Sequence, residues 1–164
     1  MTSTNAPEWT LRAVTAADVE PVAEIRADVM RADLERLGRY DAHRVRQRFR
    51  DTFSPRWTSV VEVDGALAGS VTVRPDGGGR LLEHFYLAPG HQGRGLGSAV
   101  LRALLADADA AREPVRLIVL QGSPARRLYE RHGFVLESAD PVDVVLVRPV
   151  PAAGPGAGGA RPGR

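Results

Sequence analysis

The stretch Gln92-Gly93-Arg94-Gly95-Leu96-Gly97-Ser98 decides the fold, since it joins a predicted strand to a predicted helix. Its three glycines remove side chains from a backbone that must approach a ligand closely. The helix that follows directs unpaired backbone N–H groups and the positive end of its dipole at the same place, and Arg94 adds a charge. We therefore predict an anion site that suits a phosphate or a pyrophosphate. The alternative is a tight turn with a helix cap, for which one glycine suffices.

Two common phosphate-binding loops do not fit this stretch. A dinucleotide-binding loop has the pattern G-x-G-x-x-G, but the sixth position is Ser98 counted from Gly93 and Val100 counted from Gly95. A nucleotide-triphosphate loop needs Gly-Lys followed by Ser or Thr, and the chain contains no lysine. Both interpretations are therefore disfavoured.

The composition excludes several kinds of chemistry. The chain has 164 residues, which fits one domain, and its 22 basic residues are all arginine. Without cysteine it has no thiol nucleophile and no thiolate metal site, and without lysine it forms no Schiff base. The four histidines lack metal-ligand spacing, so we predict no metal.

The charge distribution argues against a nucleic-acid-binding protein. The isoelectric point is about 9.6, but the formal net charge is only +2. Two arginines, Arg161 and Arg164, lie in the tail, and every acidic residue lies at or before Asp143, so the body is neutral. No apolar run approaches the ~18 residues that cross a membrane, and the N-terminus is too polar for a secretory signal. We expect a cytoplasmic protein without nucleic-acid or membrane partners.

Hydrophobic periodicity predicts the order β-α-α-β-β-β-α-β-α-β-β, an α/β (α+β) fold with a mostly antiparallel sheet. Residues 9–148 form the predicted domain. Residues 1–8 are a predicted disordered leader, and residues 149–164 are a predicted disordered tail of mostly Pro, Ala and Gly. The predicted strands are 10–14, 57–63, 66–74, 81–87, 115–120, 134–136 and 142–147, and the predicted helices are 18–37, 41–53, 98–111 and 124–132.

Two motifs together resemble one family. The pattern Gln92-x-x-Gly95-x-Gly97 is similar to the Q/R-x-x-G-x-G/A motif of the GNAT N-acetyltransferases. Further along, the residues of 125–134 resemble the family's A-x-x-L-Y-E-K/R-x-G-F block, with Ala125, Tyr129 and Phe134 in their places. The order of the elements also matches, so the resemblance covers about residues 9–148.

The resemblance implies a sheet that splays apart between strands four and five, flanked by about four helices, with acetyl-CoA as cosubstrate. Pantetheine would hydrogen-bond along the exposed backbone of Phe85 and Leu87, and Ala125 would also line the cofactor site. The backbone N–H groups that would cradle the pyrophosphate are those of Gln92, Gly93, Arg94, Gly95, Leu96 and Gly97, with Ser98 at the helix start.

Tyr129 and Glu83 are the catalytic residues that the resemblance implies. Tyr129 matches the tyrosine that protonates the departing thiolate in many members, although a buried core tyrosine is the alternative. Glu83 shares strand parity with Phe85 and Leu87, so we expect it to line the acetyl pocket as general base. The alternative for Glu83 is a salt-bridged or substrate-orienting carboxylate. His84 has the opposite parity, which favours a packing residue.

The acceptor side is less well defined. The family often has Asn three residues before the motif alanine, but Gly122 stands there, so Gln121 or Ser123 would have to supply that contact. In the family, the first two helices and the last hairpin wall the acceptor site. The polar residues of the first two helices and their connecting loop have two interpretations. They form a solvated surface, or one or two of them bind a carboxylate or phosphate of the acceptor. These residues are Arg36, Arg39, Tyr40, Arg44, Arg46, Arg48 and Arg50.

The resemblance therefore predicts an acetyl-CoA-dependent N-acetyltransferase. Its acceptor would be a primary amine of a small molecule, peptide or protein. The amine would attack the thioester directly, without an acyl-enzyme, which agrees with the absence of cysteine. The alternative is a non-catalytic acyl-CoA-binding regulatory module on the same fold. Many relatives form dimers, so the resemblance leaves a homodimer open.

Overall fold

The computed structural model describes residues 8–152, in which a single sheet carries helices on both faces. The predicted leader and most of the predicted tail lie outside these residues. The strands are β1 (Trp9–Ala13), β2 (Thr58–Val63), β3 (Ala66–Asp76), β4 (Gly79–Leu87), β5 (Val115–Leu120), β6 (Val135–Ala139) and β7 (Asp143–Arg148). The helices are α1 (Val19–Arg36), α2 (Ala42–Thr52), α3 (Leu96–Ala110) and α4 (Ala125–Arg131).

The seven strands are arranged in the order β1-β2-β3-β4-β5-β7-β6. Neighbouring strands are antiparallel except β4 and β5, which are parallel because α3 crosses between them. The predicted element order and mixed sheet are confirmed, with boundaries that differ by a few residues. No helix within residues 8–152 is long and apolar enough to span a membrane.

Apolar side chains fill both sides of the sheet. On one face, α3 packs Leu101 and Leu105 against strand residues such as Leu82 and Leu117. On the other face, α1 and α2 supply a smaller cluster around Phe49. The sheet therefore has two faces, an α3 face and an α1/α2 face, and each residue of the functional site is assigned to one of them below.

The sheet opens between β4 and β5. The two strands pair at Arg80 with Val115 and at Leu81 with Arg116, and then diverge. From residue 82 onward, β4 keeps its partner β3 but has none on the β5 side. The predicted splay between strands four and five is therefore confirmed.

A bulge interrupts β4 at His84. Glu83 lies opposite Thr72 and Tyr86 lies opposite Ser70, so two residues of β4 face one residue of β3. His84 adopts a φ of 48°, the left-handed region, which absorbs the extra residue. A bulge reverses the alternation of side chains along a strand, and it also increases local twist.

Candidate active site

The glycine-rich loop between β4 and α3 has the backbone shape that its sequence predicts. Gly93 and Gly95 have φ values of 74° and 80°, a region that favours glycine. Gly95 caps α3, and the first helical bond runs from the N–H of Ala99 to its carbonyl, at 3.0 Å. The N–H groups of the first turn therefore have no partner within the helix, and the turn contains no acidic residue. This arrangement fits an anion such as a pyrophosphate.

Gln92 ties the loop to the end of β4. Its side-chain amide donates to the carbonyl of Leu87 at 2.9 Å. The sequence motif predicts a backbone contact to ligand at Gln92, but it does not reveal this hydrogen bond. Arg94 is exposed beside it, and Ser98 is the third residue of α3. Gly97 lies against Leu87, where an added Cβ would sit 3.5 Å from the leucine side chain.

The free edge of β4 begins where β5 leaves it. The N–H of Ala88 donates to Ala68 of β3 at 2.8 Å, and backbone groups alternate along a strand. The N–H and C=O groups of Phe85 and Leu87 therefore point to the open side. Their side chains pack on the α3 face. An extended ligand backbone fits this edge in the way that a further strand would.

The structure corrects the prediction that Glu83 shares a face with Phe85 and Leu87. The bulge at His84 lies between them, so Glu83 falls on the α1/α2 face with His84 and Tyr86. Strand parity fails here because one inserted residue inverts it. The α1/α2 face is the side on which the resemblance locates the acceptor. Glu83 is half-buried and accepts from the Arg74 guanidinium at 2.8 Å.

His84 is a buried packing residue, as predicted, and it also belongs to a hydrogen-bond chain. Its Nε2 lies 3.0 Å from the hydroxyl of Thr52, which donates to the carbonyl of Arg48. Nε2 therefore carries the proton, and Nδ1 accepts from the Tyr86 hydroxyl at 3.0 Å. Burial lowers the pKa of His84 to about 4, so the ring is neutral at pH 7.

Tyr129 lies on α4 and is 6% exposed. Its ring packs edge-on against Phe134, with centroids 5.6 Å apart. Burial raises the pKa of Tyr129, and the Tyr86 phenol on the opposite face adds to the shift. In the chain, Tyr129 follows β5, and Tyr86 lies on β4 beyond the last β4–β5 pair. Among residues 8–152 no fully buried side-chain polar atom lacks a hydrogen-bond partner, and the Tyr129 hydroxyl has no hydrogen bond, so this hydroxyl keeps a small exposed surface.

Gly122 is covered by Arg36 from the last turn of α1. The Arg36 guanidinium donates to the carbonyl of Gln121. A Cβ added to Gly122 would lie 2.9 Å from a nitrogen of the same guanidinium. The Gln121 side chain instead donates to Asp140, at 2.9 Å. Ser123 accepts from the N–H of Ala125 at 3.3 Å. Arg36 therefore fills the space beside the glycine. Arg36 is among the arginines predicted for the acceptor side, but the sequence did not predict this contact, which joins residues far apart in the chain.

Three of the six arginines predicted for the acceptor side have an acidic partner. Arg46 pairs with Glu24 at 2.6 Å, and Arg50 pairs with Glu20 at 2.8 Å. Arg36 pairs with Asp33 at 2.6 Å. These three side chains therefore form a neutralised helix surface, not a basic patch. Within residues 8–152, no group of three or more His, Asp or Glu residues is placed to hold a metal ion.

Comparison with known proteins identifies the class of fold that these features define. Residues 55–136, half of the chain, match the family model described as Acetyltransferase (GNAT) domain. The chain therefore belongs to the GNAT acetyltransferase family. Its match includes the opened strands, the glycine-rich loop and Tyr129.

Solved structures share the fold at low sequence identity. The PaiA N-acetyltransferase from Thermoplasma acidophilum, in complex with coenzyme A, is 18% identical, with a TM-score of 0.70 over 87% of this chain and 99% of that chain. The ribosomal-protein-S18-alanine N-acetyltransferase from Escherichia coli is 17% identical, with a TM-score of 0.68 over 90% and 97%. An acetyltransferase from Thermus thermophilus is 20% identical, with a TM-score of 0.67 over 88% and 98%. A comparison with curated protein sequences gives no match.

Proposed function

We propose that this protein is an acetyl-CoA-dependent N-acetyltransferase that acts on a primary amine. The observation that carries the proposal is the unpaired edge of β4 beyond Leu81, which leads into the glycine-rich loop. The free N–H groups of the first turn of α3 lie beyond one end of this edge, and the backbone groups of Phe85 and Leu87 line it. We infer that Tyr129 reaches the edge from α4. A long molecule with a pyrophosphate at one end and a thioester at the other fits these three features in turn.

Binding of the cosubstrate would use the backbone more than side chains. The amides of residues 92–97 would hold the pyrophosphate, with Arg94 and Ser98 beside it. The backbone groups of Phe85 and Leu87 would pair with the pantetheine amides, and Ala125 would border the same space. One carbonyl lone pair of Leu87 already accepts from Gln92, and the second is available.

The transfer itself needs one base and one acid. Glu83 would accept a proton from the amine as its nitrogen attacks the thioester carbonyl and forms the C–N bond. The C–S bond then breaks, and Tyr129 would donate its proton to the departing thiolate. The proton held by Glu83 passes to solvent, and the Tyr129 phenolate takes one back, so the enzyme is restored. Burial of Tyr129 keeps the phenol protonated until the thiolate forms.

The proposal is tested by incubating the purified chain with acetyl-CoA and a panel of primary amines, peptides included. The thiol of released CoA is measured with a colorimetric reagent, and the acetylated amine is identified by mass spectrometry. We expect stoichiometric release of CoA thiol and formation of an amide. Binding of acetyl-CoA without transfer to any amine would instead support an acyl-CoA-binding module.

A further inference from the structure

Arg26, in the middle of α1, is a buried cation whose protein partners are neutral. Only 7% of its surface is exposed. Its Nε donates to the Tyr86 hydroxyl at 2.9 Å, and Nη1 donates to the carbonyl of Val45. Within residues 8–152 no carboxylate lies close enough to form an ion pair with it. A guanidinium removed from water normally has a counter-ion because burial of an unpaired charge is costly.

A second cation, Arg48 of α2, lies near the same group of residues. It is one helical turn before Thr52, whose hydroxyl bonds both the Arg48 carbonyl and His84, and its own side chain is exposed. Among the described residues Arg48 also forms no ion pair with a carboxylate. Glu83 is the carboxylate that acts on His84 and Tyr86, and it is already paired with Arg74. The cluster of Arg26, Arg48, His84 and Tyr86 therefore carries net positive charge.

The pyrophosphate of the cosubstrate is not the counter-ion of this cluster. The loop proposed to hold it leads into α3, whereas Arg26 and Arg48 belong to the helices on the opposite face of the sheet. Tyr86 belongs to β4 beyond the last β4–β5 pair, so it joins the cluster to the opened part of the sheet. An anion that reaches the cluster must therefore come from the acceptor side.

We propose that the acceptor amine carries a carboxylate or phosphate group, which Arg26 and Arg48 bind on the α1/α2 face. This inference rests on the proposed function and names its substrate class. Guanidinium groups suit both anions because their N–H groups form a planar fork. The same two charges disfavour a substrate with several ammonium groups. They also stabilise the neutral, nucleophilic form of the amine.

The substrate class is tested with amines in matched pairs that differ by one charge. We would measure acetyl transfer to the standard L-amino acids and to their carboxamides, with 2-aminoethyl phosphate and putrescine in the same series. Calorimetry on CoA-saturated protein gives the affinity for each pair independently of turnover. We expect the anionic member of the preferred pair to have a kcat/KM and an affinity at least about tenfold above those of its neutral partner.

Variants separate the charges from the packing. Arg48→Gln changes an exposed side chain and should remove most of that preference, chiefly by raising KM for the anionic member of each pair. Arg44→Gln is the matched control, since Arg44 is exposed on the same helix but lies in its first turn, two turns from the Thr52 that bonds His84. Arg26→Lys keeps the charge and should retain the preference for the anion, whereas Arg26→Gln should lose it. Should Arg26→Gln not fold, the wild-type pairs and Arg48→Gln decide the question.

Two results would overturn the inference. One is equal affinity for carboxylate and carboxamide members, or a preference for putrescine. The other is an identical effect of Arg48→Gln and Arg44→Gln. Absence of acetyl transfer to every amine would contradict the proposed function instead, and the calorimetric comparison would still decide whether the cluster binds an anion.

Discussion

Leu81 of β4 pairs with Arg116 of β5, and this is the last pair before the two parallel strands separate. Every feature of the proposed cosubstrate site lies beyond that pair. The backbone edge of Phe85 and Leu87, the glycine-rich loop and Tyr129 all depend on the strands having parted. The separation of β4 from β5 therefore leaves a space within the sheet that a ligand can occupy.

Replacement of Tyr129 by Phe should lower kcat while the dissociation constant of acetyl-CoA stays nearly constant. The ring would still pack against Phe134, but the thiolate would lose its proton donor. General acid catalysis contributes roughly 10²–10⁴-fold, and a fall of at least about tenfold is expected even if solvent substitutes in part. Steady-state kinetics and calorimetry check the two quantities separately.

The matched control is Tyr40→Phe. Tyr40 lies between α1 and α2, and the guanidinium carbon of Arg31 is 4.9 Å from the centroid of its ring. Its variant should retain wild-type kcat. Unchanged turnover in Tyr129→Phe would remove Tyr129 from the mechanism and leave it as a core residue.

Replacement of Glu83 by Gln should lower kcat/KM at neutral pH and shift activity to more alkaline conditions. Without a base, the reaction depends on the fraction of amine that solvent has already deprotonated, and this fraction rises with pH. The pH–rate profile from pH 6 to about 10 is the measurement. A structural role through the Arg74 ion pair would lower thermal stability without moving the profile.

The buried His84 predicts a loss of stability in mild acid. Its folded-state pKa is about 4, below the ordinary value of 6.5, because burial disfavours the charged ring. With respect to His84, the folded state has its full stability above pH ~6.5. This stability is lost as the pH falls, because the unfolded chain takes up a proton at His84 that the folded chain excludes. Between pH 7 and 5 the free energy of unfolding should fall by about 2 kcal/mol from this group.

Denaturant titrations at several pH values measure that slope. His84→Gln should be less stable at pH 7 but show a shallower slope over the same range. His43→Gln, at the exposed start of α2, should keep the wild-type slope. Equal slopes in wild type and His84→Gln would show that His84 ionises freely in the folded protein.

Short-range patterns in the amino-acid sequence predicted much of the fold. The glycines of residues 92–98 and the hydrophobic periodicity of the helices and strands each act over a few residues, so propensity and periodicity suffice. The separation of β4 from β5 followed from a resemblance in two motifs, not from periodicity. Nothing in the residues of either strand predicts where their pairing stops.

The sequence did not predict features that depend on distant contacts. The face of Glu83 was wrong because the bulge at His84 inverts strand parity, and that bulge is fixed by pairing with β3. Arg26 was overlooked because it lies within an apolar helix face, and its contact with Tyr86 joins positions 60 residues apart. The position of Arg36 over Gly122 likewise depends on tertiary packing.

Calorimetric titration of acetyl-CoA into wild type, Gly95→Val and Gly65→Val tests the central claim most directly. Both glycines have a left-handed φ, 80° and 82°, with no atom within 4 Å of an added Cβ, so valine imposes similar backbone strain at either site. Gly65 lies in the β2–β3 turn, whereas Gly95 caps α3. We predict that wild type and Gly65→Val bind acetyl-CoA alike and that Gly95→Val binds at least about tenfold more weakly. Equal binding by all three, or no binding by the wild type, would contradict the account.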